Sequence, residues 1–381
     1  MRKGWEYKKL GEVCALTMGQ SPDGNSINEV NGIEFHQGKT CFGERFLGIS
    51  PLYSNAPTKL AEAHSVLLCV RAPVGYPNIT DRKICIGRGL CALYAKREID
   101  NSFLYYSLLG KQSYFEKNAT GSTFKAISSK IVSNTTLSIP PLSTQLAIVS
   151  ELDKINELIR LKKEQLKDFD NLAQSLFYEM FGDPMENEKG WEVKKLGEIG
   201  EFKNGLNFSK DEKGHSIKFL GVSDFQNKKS IASDQLAYIS LSERVQEDYL
   251  LKTGDLVFVR SNGKKELIGR SVKMYITEPT TYSGFCIRCR ITDEKVDKDY
   301  IAILLKTPII RQFMTNSGRG CNISNLNQKI LNSIPTILPP LPLQRLFAQH
   351  IEQIEREKSE VQKSIQDLET LLASRMQYWF E

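Results

Sequence analysis

Three short stretches of this 381-residue chain hold residue types that could do chemistry. Gly38-Lys39-Thr40 ends like a phosphate-binding loop. That loop needs the spacing G-x-x-x-x-G-K-[ST], so that successive backbone N–H groups wrap the phosphates. Ile33 holds the position of the first glycine, and Gly32 comes one residue too early. Cys41-Phe42-Gly43 would also break the helix that such a loop opens, so an ATP site is not expected. Cys286 and Cys289 have the inner spacing of a zinc pair, yet no second Cys/His pair stands at zinc spacing from them. Strand residues three apart point to opposite faces, which favours core thiols over metal ligands. Pro140-Pro141 and Pro339-Pro340 are followed by Leu, unlike the [DNS]-P-P-[YF] tetrapeptide of amino-methyltransferases. His36, His64, His215 and His350 have no helical i, i+4 partner and no obvious nucleophile companion, and no G-x-G-x-x-G is present. No catalytic constellation emerges, and no metal site is expected.

Composition narrows the class. A 40% hydrophobic and 25% charged chain is ordinary for a soluble globular protein, and this length suits two domains or more. No apolar run is long enough for a membrane span. The opening residues MRKGWEYKKLGE lack an apolar secretory core, so a cytoplasmic location is expected. The eight cysteines are scattered, mostly in apolar runs, and read as reduced thiols. A net charge of +6 is mild for this length. Its placement says more: Lys and Arg gather near Gly-rich turns, as a polyanion partner would require.

Two long elements must position these turns. Leu142 to Phe181 contains no Gly or Pro, and its apolar seam (Leu152, Ile155, Ile159, Leu166, Phe169, Ala173, Leu176) predicts one amphipathic helix. At 1.5 Å per residue it would run about 60 Å. Gly182, Asp183 and Pro184 end it. Leu341 to Phe380 repeats it without a gap, with the seam Ile351, Ile354, Val361, Ile365, Leu368 and Leu372. One-sided seams need cover, so the two helices should pack on each other, antiparallel. Lys162 and Lys358 interrupt the seams, either as lysines that snorkel to solvent or as register-setting charges.

The segments between are duplicated too. Gly4-Trp5-Glu6-Tyr7-Lys8-Lys9-Leu10-Gly11-Glu12 returns as Gly190-Trp191-Glu192-Val193-Lys194-Lys195-Leu196-Gly197-Glu198, and 121–142 echoes 320–341. Runs at Ser65–Val70, Leu90–Ala95, Gly221–Asp224, Asp255–Val259 and Phe285–Ile291 predict buried strands. Helices are expected at Ser102–Glu116 and Lys298–Met314. The fold class is therefore α+β. Two mixed, mostly-β domains (1–141 and 185–340) alternate with two long coiled-coil helices (142–184 and 341–381).

The paired W-E-x-K-K-L-G-E starts, the Pro-Pro-Leu junctions leading to Gln145 and Gln344, and Met180-Phe181-Gly182-Asp183-Pro184 together resemble the specificity (S) subunit of type I restriction-modification systems. Phe35-His36-Gln37-Gly38-Lys39, Val70-Arg71-Ala72-Pro73-Val74-Gly75 and Ile86-Gly87-Arg88-Gly89-Leu90 are similar to family stretches. So are Gly254-Asp255-Leu256, 258–263 and Ile268-Gly269-Arg270. The resemblance covers the whole chain. It implies that each globular segment is a target recognition domain reading half of a split double-stranded DNA site. It implies that the helices are spacers which dock two methyltransferase subunits binding S-adenosylmethionine. Two restriction motor subunits using ATP and Mg²⁺ would join them, and this chain would carry no cofactor.

On that reading, the side chains suited to base edges and phosphates are the candidate DNA contacts. They are Gln37, Lys39, Arg71, Arg88, Thr120, Ser122 and Lys125 in the first domain. In the second they are Arg260, Asn262, Lys264, Lys265, Arg270, Arg319 and Asn322. Each is otherwise a solvated loop side chain, and Arg88 and Arg270 could instead fix turns. Two rival functions stay open: a coiled-coil adaptor binding only protein, and a fused methyltransferase or nuclease.

Overall fold

A computed structural model describes residues 4–121, 125–208, 214–225, 230–261, 267–316 and 326–380. The chain falls into two compact units, residues 1–164 with 362–381, and residues 165–361. Each therefore holds the first part of one long helix and the last part of the other.

In the first unit, strands Cys14–Met18, Leu90–Ala95, Val66–Cys69 and Pro77–Ile79 lie side by side in that order, all antiparallel. A second sheet pairs Ile33–His36 parallel to Ile84–Ile86. Val66–Cys69 is apolar throughout because both its faces are buried. Val66 and Leu68 pack toward helix Asn101–Leu109, whereas Leu67 and Cys69 pack toward Ile84, Ile86 and Leu90. The second unit repeats the device. Leu256 and Phe258 of strand Leu256–Val259 enter one core, and Val257 and Val259 enter another. Neighbouring strand Cys286–Ile291 likewise sends Cys286 and Cys289 into different cores, as a three-residue separation requires. Burial pushes both thiols up to about 12. Among the described residues no cluster of His, Cys, Asp or Glu could hold a metal ion, and no helix is long and apolar enough to cross a membrane.

The long helices run Leu142–Phe181 and Leu341–Phe380. Gly182 ends the first with φ +75, its N–H donating to Tyr178 O at 2.8 Å. Their partners run in opposite senses, so they pack antiparallel. Within the first unit Glu151 meets Arg375 and Lys163 meets Glu369. Within the second Asp170 meets Lys358, and Phe177 meets the Phe347 ring edge at 5.7 Å. Of the predicted seam, Leu152, Ile155, Ile159, Ile351, Ile354, Val361 and Ile365 are buried. Leu166, Phe169 and Leu368 are half-buried.

Three expectations are corrected. Lys358 does not snorkel. It is 8% exposed, and its Nζ donates to Asp170 Oδ1 of the other helix at 2.5 Å, a cross-helix pair that suits the register-setting alternative. Gly221–Asp224 is no strand: Val222–Asp224 is a short 3₁₀ turn, closed by the Asp224 carboxylate accepting the Gly221 N–H. Each of the expected helices Ser102–Glu116 and Lys298–Met314 is two. Asn101–Leu109 and Gln112–Asn118 part at Gly110, and Lys298–Leu304 and Pro308–Asn316 part where Pro308 lacks an N–H to continue the ladder.

One buried glutamine fixes the start of each long helix. Gln145 Nε2 donates to Glu98 O (3.0 Å) and Pro140 O (2.9 Å), and its Oε1 accepts the Asp100 N–H at 2.9 Å. Gln344 makes the same three bonds, to Lys295 O, Pro339 O and the Asp297 N–H. Asp100 and Asp297 in turn cap helices Asn101–Leu109 and Lys298–Leu304.

Candidate nucleic-acid interface

Four of the predicted residues of the first unit, Gln37, Lys39, Arg71 and Arg88, line one open cleft of about 220 Å³. Main-chain bonds bring them together. Gly89 N–H donates to Gln37 O (3.1 Å), Val70 N–H to Gly89 O (2.9 Å), and Ile127 N–H to Val70 O (2.9 Å). Three separate stretches thus end in a row, each with an exposed side chain. The close approach depends on glycine. A Cβ on Gly87 would lie 2.9 Å from Gln37 Cα, and one on Gly89 would strike Gln37 O.

The returning segment extends the row. Thr120 and Ala126 exchange backbone bonds at 2.9 Å, and Ala72 N–H donates to Lys125 O at 3.0 Å. Thr120 and Lys125 are therefore exposed beside Arg71. Lys39 Nζ sits over the Tyr76 ring, 4.3 Å from its centroid, which limits its wandering. Arg71 and Arg88 are exposed, and neither guanidinium has a partner among the described residues. Cys69 is buried beneath the cleft, and burial pushes its thiol up to about 12 against the pull of Lys39. A neutral thiol there is no nucleophile.

Behind Gln37 lies a charged support. Glu34 takes a two-pronged bond from Arg82 (2.6 and 2.7 Å), the Ser50 N–H (2.7 Å) and His36 Nε2 (2.8 Å). Burial works against the charge on Glu34, but these bonds outweigh it and hold the carboxyl at about 2. Burial likewise lowers the His36 pKa, against the opposing pull of Glu34. Sequence reasoning passed over Arg82 and Glu34, because a salt bridge between a strand and a bend 48 residues on leaves no local spacing to find.

The second unit places Arg260 after strand Leu256–Val259 and Arg270 before strand Ser271–Tyr275. Val259 N–H donates to Arg270 O (2.9 Å) and Leu326 N–H to Arg260 O (2.8 Å). The latter bond repeats Ile127 to Val70, so the positional counterpart of Arg260 is Val70, not Arg71. Both arginines are half-buried. Phe285, 59% exposed, accepts the Arg260 N–H on the same rim and offers a stacking face that no sequence spacing marked. Ser122, Asn262, Lys264, Lys265, Arg319 and Asn322 lie outside the described residues. The described arrangement offers guanidinium forks, a carboxamide and ammonium groups on loop ends, and no reacting set.

Residues 2–168 and 188–370 match the family model of the type I restriction modification DNA specificity domain. A putative type I restriction enzyme MjaX specificity subunit from Methanocaldococcus jannaschii is 36% identical over 176 residues, spanning 45% of this chain and 41% of that one. The MjaIX specificity subunit of the same organism is 24% identical over 91% of this chain and 85% of its own. Two solved structures share the fold along nearly the whole length. A chain from a study of type I R-M complex assembly and conformational transition has TM-score 0.67 at 18% identity, covering 100% of this chain and 98% of its own. The S subunit from M. genitalium has TM-score 0.56 at 16% identity, covering 99% and 96%. With two matched segments that take in both units, this chain belongs to the type I restriction modification DNA specificity domain family.

Proposed function

We propose that this chain is the sequence-reading subunit of a type I restriction-modification complex, with each globular domain contacting one half of a bipartite DNA site. One observation carries the reading. Gln37, Lys39, Arg71 and Arg88, far apart in sequence, converge with exposed polar ends on one cleft. Arginine forks suit guanine edges, a carboxamide suits adenine, and ammonium groups suit phosphates. Arg260 and Arg270, with Phe285, would serve the second domain. The domain division is then 1–141 and 185–340 as readers, with the long helices between and after them as spacers.

The chain itself would perform no chemistry and bind no cofactor. Two methyltransferase subunits would supply S-adenosylmethionine chemistry, and restriction subunits would supply ATP- and Mg²⁺-dependent cleavage. Leu158, Leu161, Leu172 and Leu371 stay exposed on the long helices and suit docking of such subunits. Co-expression with the methyltransferase of the same locus, followed by mapping of methylated positions in host DNA, tests the reading. A split motif is expected, and a contiguous motif would overturn the two-reader scheme. Absence of salt-dependent binding to duplex DNA would instead favour a protein-only adaptor.

A further inference from the structure

In the first unit a hairpin runs from the cleft to the long helix. Phe42 and Leu47 bridge antiparallel, and Gly48 N–H donates to Cys41 O at 2.8 Å, which closes the hairpin over 41–48. A Cβ on Gly43 would lie 2.5 Å from Phe46 O, so the tight turn needs that glycine. Lys39 of the cleft stands at the hairpin's base. At its tip three successive carbonyls are held. Gly43 O accepts from Asn78 Nδ2 (3.0 Å), Glu44 O from the Tyr105 hydroxyl (3.0 Å) and Arg45 O from the Ile79 N–H (2.9 Å). The Arg45 side chain then reaches the long helix. Its Nη1 donates to Asp153 Oδ1 at 2.5 Å, and the Tyr106 hydroxyl donates to the same oxygen at 2.6 Å. The guanidinium also lies 5.3 to 5.6 Å from the centroids of the Phe46, Tyr105 and Tyr106 rings.

We propose that Arg45 is a positioning residue, a strut between the reading cleft and Asp153 of the spacer helix that makes the distance between half-sites strict. The inference rests on the DNA-reading function proposed above. Arg45 is not itself a DNA contact, because Asp153 matches its charge and only 21% of its side chain is exposed. The placement suits a strut. A planar guanidinium held by a carboxylate and ring faces keeps one direction, whereas an apolar side chain at the same tip would fill space without fixing an angle. The tip carbonyls are tied separately, so the bond to Asp153 fixes the hairpin against the helix and with it the cleft at the hairpin's base. One base pair of spacer is about 3.4 Å of rise and a tenth of a turn. A cleft free to tilt on its helix would take neighbouring spacers, and a braced one would meet them with strain.

The test uses the full chain co-expressed with the methyltransferase of its locus. It reads methylation of host sites whose spacer is one base pair shorter or longer than the preferred one. Arg45→Ala and Asp153→Asn, one from each side of the bond, should each raise methylation at those sites about tenfold relative to the preferred site. Asp153→Asn keeps the side-chain shape, so its effect does not depend on lost volume. The double variant should do no more than either alone, and the bases read within each half-site should stay the same. Val132→Ala is the stability control. It empties a buried site in helix Ser129–Asn134, which packs on Leu10–Val13, and should keep the parent's strictness. Unchanged spacer preference in Arg45→Ala and Asp153→Asn, with the split motif intact, overturns the strut alone. Loosening by Val132→Ala as well would mean that stability sets the strictness, and also overturns it. A parent without a split motif overturns the function reading and the strut together.

Discussion

Arg71 and Arg88 project from loop ends whose backbone is pinned, while their guanidinium groups keep no partner among the described residues. Such groups lose little on binding, because no existing bond must be broken first. Arg71→Ala should therefore relax specificity at one base position, by about 1–3 kcal/mol, without lowering the melting temperature. Lys39→Ala should weaken all sites alike and flatten the salt slope by about 1. Competition binding over a randomised half-site, repeated at several salt concentrations, separates the two. Glu34 behind them gives a pH signature. Its folded pKa of about 2 lies below the ordinary 4.5, so its contribution is present above pH 4.5 and is lost as pH falls toward 2. His36, lowered by burial, adds loss in the same direction from pH 6.5 downward. Acid unfolding of the parent and of Glu34→Gln checks this. The variant should lose about 3 kcal/mol at neutral pH and titrate less steeply below pH 4.5.

At the scale of elements, the long helices were legible because a seam without Gly or Pro admits one structure, and Gly182 marks its end. Short helices were less so, since periodicity at Ser102–Glu116 carries on across Gly110 although the backbone does not. The role of Gln145 and Gln344 was invisible: the motif marked both residues, but their carbonyl and N–H partners are main-chain groups without sequence identity. Gln145→Leu should strand the Asp100 N–H and two carbonyls and cost about 2–4 kcal/mol. Urea unfolding followed at the first unit should show it, and equal stability to the parent would rule out the latch. Helix length itself carries a prediction if it sets the DNA spacer. One heptad added to both helices, about 10 Å at 1.5 Å per residue, should lengthen the unspecified spacer by about 3 bp, given ~34–36 Å per DNA turn. An unchanged spacer in the mapped motif would dismiss the ruler.

At the scale of the molecule, the units do not follow chain order, and no local pattern could reveal that. Phe380 packs on Phe103 with centroids 5.5 Å apart, and Trp379 stacks on Trp5 at 6.3 Å, so residues from the last helix complete the first unit. Phe181 meets Tyr300 at 5.1 Å, and Trp191 Nε1 donates to Phe181 O at 2.9 Å, completing the second in the same way. The duplicated W-E-x-K-K-L-G-E starts are thus places where a helix end arrives from the other repeat, which explains why a Trp recurs there. Phe380→Ala should cost about 3–5 kcal/mol, as emptying a buried Phe site does. The loss should fall on the first unit, although the substitution lies at the far end of the chain from its strands. Hydrogen exchange should speed up in Val66–Cys69 and spare Leu256–Val259. Equal acceleration in both strands would show one cooperative body, and acceleration confined to Leu256–Val259 would reverse the assignment of helix ends.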